Sequence, residues 1–212
     1  MIRLFMAGIL CLLSYAVNAQ PSQALTSADW VNIADEKLKA GDFDGALFGY
    51  EVAIKMDSLN SSAYRKWGSL LTHTGIFNDD KQRFEEGLQK FETAVRLNPS
   101  RASNYYEWGN ALLKKGRHEE NLKSYKKEIL DKFNTAESLS DQVGAYCIAS
   151  FYSLLKDKKN SLKWLNIVLS KDYSIKDKRI NRRLLEHDPN LHYIREDNSF
   201  RKLVDNYFPL SQ

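Results

Sequence analysis

Two segments decide the fold: Tyr64–Leu71, YRKWGSLL, and Tyr105–Gly116, YYEWGNALLKKG. In each, a tyrosine is followed at i+3, i+4 and i+7 by tryptophan, glycine and leucine (Tyr64, Trp67, Gly68, Leu71; Tyr105, Trp108, Gly109, Leu112). That spacing lines one face of an α-helix. A glycine inside such a face leaves room for a neighbouring helix, and the tryptophan beside it fills the space left around the contact. The recurrence of the whole pattern points to a helical repeat array.

Composition agrees with this reading. The 212 residues are 43% hydrophobic and 12% aromatic, too apolar for a disordered chain, and they include only ten glycines and four prolines. Scarcity of those two residues favours long helices over turn-rich β structure.

Working outward from the two segments, a pattern of small and large residues can be laid down four times. The first copy has Trp30, Ile33, Ala34 and Lys37, then Ala46, Tyr50 and Ala53, with Gly41 at the turn. The second continues to Gly87, Phe91, Ala94 and Pro99. The third places Gly116 at the turn and then Asn121 and Tyr125. The fourth has Ala145, Ile148, Ala149 and Tyr152, then Ser161, Leu165 and Val168. This arrangement resembles the tetratricopeptide repeat (TPR) over about 27–173. The resemblance implies an all-α, right-handed α-solenoid of about four TPR-like helix pairs, divided near 27–60, 61–101, 102–135 and 142–175. One pair cannot bury its apolar face alone, and stacking several does.

The spacing is uneven. Ala34 to Gly68 is 34 residues, Gly68 to Gly109 is 41 and Gly109 to Ala149 is 40. In the second helices, Ala46 to Gly87 is 41, Gly87 to Asn121 is 34 and Asn121 to Ser161 is 40. Together the two series place seven extra residues inside the second repeat, near 73–83, and six between the third and fourth, near 130–140. Asn78, Asp79 or Asp80 is the expected N-cap after the first insertion, and Phe84, Leu88 and Phe91 keep an apolar stripe beyond it. Either insertion is a functional feature or a tolerated surface change.

Beyond the repeats, 176–208 reads as a helical cap. Asp188-Pro189 can cap and start one short helix, and Asp197 can cap another that carries Phe200, Leu203 and Val204. The segment resembles the D-P-x-L-x-x-L-R-x-D-x-x-F-x-x-L ending found after the last repeat of many bacterial TPR proteins of the exported type. It would cover the apolar face of the last pair.

Residues 1–19 read as a signal peptide: Arg3, an apolar run from Leu4 to Val17, and Val17-Asn18-Ala19 before a cleavage point. An uncleaved anchor is the alternative. Leu10 ahead of Cys11 argues against lipidation. Cleavage after Ala19 would leave an exported chain, periplasmic or in the cell envelope, with no integral membrane span. It would also leave Cys147 as the single cysteine, so that no internal disulfide can form.

In the architecture the resemblance implies, first helices line a concave surface. By register that surface carries Asp35 and Lys39, then Arg65, Ser69 and His73, then Tyr106, Asn110 and Lys114, and finally Tyr146 and Ser150. A mixture of charge, hydrogen-bonding groups and tyrosine suits a protein or peptide partner better than a small apolar ligand. The carboxylate clamp of chaperone-binding TPR domains has no counterpart: Val31, Asp35, Ser103 and Glu107 stand where its basic and amide residues would be. A second reading rests on 156–183, where ten Lys or Arg face three Asp. Such a patch suits an anionic envelope surface, lipid head groups or polysaccharide; export argues against nucleic acid. The four histidines form no metal-ligand spacing, and no nucleotide, hydrolase or metalloprotease motif occurs. The sequence therefore predicts a binding protein with no enzymatic activity, no cofactor and no metal; an enzyme of unrecognised type, assembled from scattered carboxylates, is the third and rarest reading.

Overall fold

The computed structural model describes residues 24–139, 144–170 and 180–209. Eight helices come first: α1 Ser27–Lys39, α2 Phe43–Met56, α3 Ser61–Phe77, α4 Lys81–Leu97, α5 Ala102–His118, α6 Lys126–Ser138, α7 Gly144–Leu154 and α8 Lys158–Leu169. After these come α9 Arg182–His187, a 3-10 turn Pro189–Leu191, α10 His192–Arg195 and α11 Asn198–Tyr207. No strand occurs among the described residues.

Local chemistry sets most of the boundaries. Side chains of Thr26, Asp42, Asn60, Asp80, Asp157 and Asn181 accept a backbone N–H at the start of α1, α2, α3, α4, α8 and α9. Asp80 is thus the cap chosen among the three candidates after the first insertion. Asp188 and Asp197 likewise cap the 3-10 turn and α11. Each such cap contributes about 1 kcal/mol.

One device closes the turn inside every pair. A residue of left-handed conformation follows the first helix: Gly41 (φ 79°), Asp79 (φ 56°), Glu120 (φ 53°) and Lys156 (φ 60°). The next residue's N–H returns to a carbonyl in the last helical turn: Asp42 to Lys37, Asp80 to Gly75, Asn121 to Gly116 and Asp157 to Tyr152, at 2.8–2.9 Å. This is the Schellman termination, which satisfies carbonyls a helix end otherwise leaves open.

The pairs differ in length. From the small residue of the first helix to the large buried residue of the second, the count is 16 in pair one (Ala34 to Tyr50) and 23 in pair two (Gly68 to Phe91). It is 24 in pair three (Gly109 to Phe133) and 16 in pair four (Ala149 to Leu165). A Cβ at Gly68 would lie 3.3 Å from both Lys90 and Phe91, and one at Gly109 would lie 2.6 Å from the Phe133 ring and 3.3 Å from Lys132. Lys90 covers the Trp67 ring and Lys132 the Trp108 ring, each at 4.2 Å. Pairs two and three are therefore matching long pairs.

That arrangement corrects the sequence reading of the third repeat. Asn121 and Tyr125 lie in the turn before α6, and the buried stripe of the second helix is Ile129, Phe133 and Ala136. The extra residues sit inside the third pair, and 130–138 is the body of α6. Gly116 lies within α5, buried against Leu122 and Tyr125, because α5 continues two residues beyond it. The 1–19 segment and residues 171–179 of the basic stretch lie outside the described residues.

The core runs continuously along the stack. Val31, Ala34, Tyr50, Ala53 and Leu70 join pairs one and two. Phe91 stacks on Trp108 (6.3 Å, 12°) to join two and three, and Ile129, Phe133, Ile148 and Phe151 join three and four. Cys147 is half-buried beside that last cluster. On the exposed end of pair four, Leu185, Leu191, Ile194, Phe200 and Val204 of the C-terminal helices bury Leu165, Val168 and Leu169.

Candidate binding groove

The register of the first helices sets out three rows. Val31, Arg65, Tyr106 and Tyr146 lie three residues before the small residue. Asp35, Ser69, Asn110 and Ser150 lie one after it, and Lys39, His73 and Lys114 lie five after it. Whether a row presents side chains to a partner depends on what each pair does with them.

In pairs two and three the rows converge. Ser69, Thr72 and His73 of α3 face Tyr106, Glu107, Asn110, Ala111 and Lys114 of α5 around a cavity of 170 Å³. Five of the ten sequence candidates therefore line one cleft: Ser69, His73, Tyr106, Asn110 and Lys114. The sixth candidate of these two pairs, Arg65, is 8% exposed and makes an ion pair with Glu107 that ties α3 to α5 beside the cleft. Its role is to fix the walls. Glu107, Thr72 and Ala111 are lining residues that the row arithmetic omits, because it counts one residue per row and a cleft also exposes the sides of its helices.

The first pair contributes nothing to this cleft. Asp35 accepts the Tyr50 hydroxyl at 2.7 Å and an ammonium hydrogen bond from Lys66, and so joins pair one to pair two. Burial, and next the adjacent Asp35 carboxylate, push the Tyr50 phenol far above its usual value. Lys39 is exposed and pairs with Glu36 at 2.7 Å on its own helix.

The fourth pair corrects the expected groove at its far end. Ser150 is 4% exposed, and Tyr146 donates its hydroxyl to Asp188 at 2.5 Å. The C-terminal segment lies on α7 where a partner would have to lie. Burial and then the Asp188 carboxylate hold Tyr146 protonated well above the ordinary phenol range. Arg117, near the end of α5, also donates to Asn190 of that segment at 3.0 Å.

Charge at the cleft is lopsided. Its one lining carboxylate, Glu107, is neutralised by Arg65. Lys114 is exposed and makes no ion pair among the described residues. His73 is exposed at the mouth, its ring 6.4 Å from that of Phe43. The hydroxyls of Ser69 and Thr72 and the Asn110 amide supply neutral donors and acceptors.

A second concavity of 560 Å³ lies at the turn of pair three, lined in part by Arg117, Glu120, Lys123, Leu154 and Lys156. It is formed by loops and helix ends instead of facing first helices. Within the basic stretch, Lys158 pairs with Asp197 and Arg182 with Glu186 and Asp205, so the cap neutralises two of its cations. Lys159 and Lys163 remain exposed. No group of three or more potential metal ligands, and no helix long and apolar enough to cross a membrane, occurs among the described residues.

Comparisons with known proteins bear on the fold. No family model matches the chain, and no curated protein matches it. Among solved structures, the crystal structure of MamA protein is similar, with 19% sequence identity, a TM-score of 0.55, and coverage of 88% of this chain and 97% of that one. At that identity the likeness is one of architecture: the chain is an all-α solenoid of TPR-like helix pairs.

Proposed function

We propose that this protein is a non-enzymatic scaffold that holds an extended segment of a protein partner in the cleft between α3 and α5. The convergence of Ser69, His73, Tyr106, Asn110 and Lys114 on that cleft carries the reading. A small-molecule pocket commonly encloses about 300–1,000 Å³. At 170 Å³ the cleft suits one or two side chains of a longer segment, which would gain the rest of its affinity along the rows of the first helices. The partner acts in the cell envelope or periplasm, to which the 1–19 segment directs the chain.

The test is cross-linking and pull-down from the native envelope fraction, with wild type compared with Asn110→Arg. Asn110 is half-buried on the cleft wall, so arginine fills the cleft without entering the core. Loss of a specific protein partner, at unchanged helicity and melting temperature, supports the groove. Full retention of every partner sinks it. The alternative of an anionic surface ranks lower because Asp197, Glu186 and Asp205 occupy part of the basic stretch. If vesicle binding is lost on neutralising Lys159 and Lys163 while Asn110→Arg changes nothing, that alternative takes its place.

A further inference from the structure

A second stripe of residues runs along α2 beside the buried one. Ala46, Gly49, Tyr50 and Ala53 are buried, while Phe48, Glu51, Val52, Lys55 and Met56 recur at i, i+3, i+4, i+7 and i+8 on the outer side. Phe48 is 59% exposed and Met56 51%, with Val52 half-buried between them. The Phe48 ring meets Trp30 edge-on at 6.0 Å, which widens the apolar surface onto α1.

The fold itself does not require this surface. Counted from the large buried residue of each second helix (Tyr50, Phe91, Phe133 and Leu165), the position of Phe48 is taken in the other pairs by Gln89, Asp131 and Lys163, all exposed. The position of Val52 is taken by Thr93, Thr135 and Ile167. Pair one therefore departs from what the chain's own repeats place there, and an exposed apolar surface of this kind marks an interface.

The charges within the stripe identify what lies across it. Along α2 the order is Phe48, Glu51, Val52, Lys55 and Met56: apolar, acid, apolar, base, apolar. A two-fold axis at Val52 reverses that order, so that Phe48 meets Met56 of a second copy and Glu51 comes beside its Lys55. Within one chain Lys55 and Glu51 pair at 2.7 Å, with side chains 70% and 46% exposed, and they can exchange partners across the axis. Such a stripe is its own complement, which an isologous contact requires. A partner of uniform charge, an anionic surface included, would meet a like charge in one half of it.

We infer that α2 is a self-association surface on which two copies pack antiparallel, α2 against α2, about a two-fold axis at Val52. None of the residues lining the α3–α5 cleft belongs to the stripe, so the dimer presents two clefts.

The test is sedimentation equilibrium of the mature chain from about 1 μM to about 1 mM. Wild type should reach twice the chain mass, with half-association below about 100 μM, as suits a small interface. Phe48→Gln with Val52→Thr, which gives α2 the residues of α4 at these positions, should weaken association about tenfold or more at unchanged helicity. Glu51→Lys alone and Lys55→Glu alone should each be monomeric. An equimolar mixture of those two variants should associate again, because each chain then carries one sign of charge; a defect of folding within one chain would not be rescued by mixing. A wild type that stays monomeric over the whole range overturns the inference, and so does association that Phe48→Gln with Val52→Thr leaves unchanged. A mixture as monomeric as its components overturns the two-fold register and the inference with it.

Discussion

Replacing Glu120 or Lys156 by glycine should stabilise the protein, and replacing Gly41 by alanine should destabilise it by a similar amount. All three occupy the left-handed position that ends the first helix of a pair, at φ values of 53°, 60° and 79°. An L-residue with a Cβ carries a penalty of about 1–2 kcal/mol in that conformation. Glycine removes the penalty but gives the unfolded chain more freedom, which costs about 0.4–1 kcal/mol. The net gain is about 0.5–1 kcal/mol for each replacement. For a chain of this size that is a rise in Tm of about 1–4 °C. Neither Glu120 nor Lys156 makes a side-chain hydrogen bond or ion pair among the described residues, so little else changes. A Cβ at Gly41 would meet nothing within 4 Å, so Gly41→Ala tests the backbone angle alone. The competing explanation is the helix dipole, which disfavours an anion and favours a cation at a helix C-terminus. It predicts a gain on removing Glu120 and a loss on removing Lys156. A rise in both variants therefore isolates the backbone term, and Glu120→Gln should leave Tm within about 1 °C of wild type. The measurement is thermal unfolding followed by circular dichroism at 222 nm. A lowered Tm in Lys156→Gly, or a raised one in Gly41→Ala, would refute the reasoning.

Three further outcomes follow from the packing and the ionisable groups. Gly109→Leu should cost about 1–3 kcal/mol, because its first side-chain carbon would already press within 2.6 Å of the fully buried Phe133 ring; an unchanged Tm would contradict the helix register. Truncation after Asp188 should lower helicity and solubility and raise binding of a hydrophobic dye, since it uncovers Leu165 and Leu169; a truncate as soluble and stable as the full chain would remove the capping role. On the alkaline side, burial and then Glu119 push the Tyr125 phenol up to about 12, and Tyr50 and Tyr146 are also raised. A folded-state pKa above the unfolded value gives stability that is complete below about 10 and lost as pH climbs toward the folded value. Tm should therefore fall above about pH 10 in step with tyrosinate absorbance, and a flat profile to pH 12 would deny these contacts.

The fold was legible because its strongest signals are steric. Trp67-Gly68 and Trp108-Gly109 mark where first helices meet second helices, and the contacts of both glycines are with the second helix of their own pair. The third pair was misread for a specific reason. Asn121 and Tyr125 fit the usual count from Gly109, yet another pair of segments carried more information: Lys90-Phe91-Glu92-Thr93-Ala94 and Lys132-Phe133-Asn134-Thr135-Ala136. Their offset of 42 residues nearly equals the 41 between the glycines, which puts the added residues inside both central pairs. Counting from a family average hid a repeat that the chain states in its own residues. The cleft between α3 and α5 was half legible as geometry. Row position named five of the residues that line it, but it could not foresee that Asp35 would be taken by Tyr50 and Lys66, or that Asp188 would come back to Tyr146 from 42 residues away. Those are tertiary events between side chains, and helical periodicity carries no information about them.

The extra residues also change what the groove can be made of. Lys39 is the last residue of α1, and Leu154, which holds the same row in pair four, is the last of α7. In the long pairs, α3 and α5 each run four residues past His73 and Lys114. A residue in the last turn of a helix shares the fraying of that turn, whereas one with a full turn beyond it is held by hydrogen bonds on both sides. The added length thus places His73 and Lys114 on rigid walls, and it does so in the two pairs whose rows converge on the 170 Å³ cleft. Pair one ends its helix at this row and spends Asp35 on internal contacts, while pair four ends its helix there and is covered by the cap. The lengthened central pairs thus frame the proposed groove, with the shorter outer pairs as its supports.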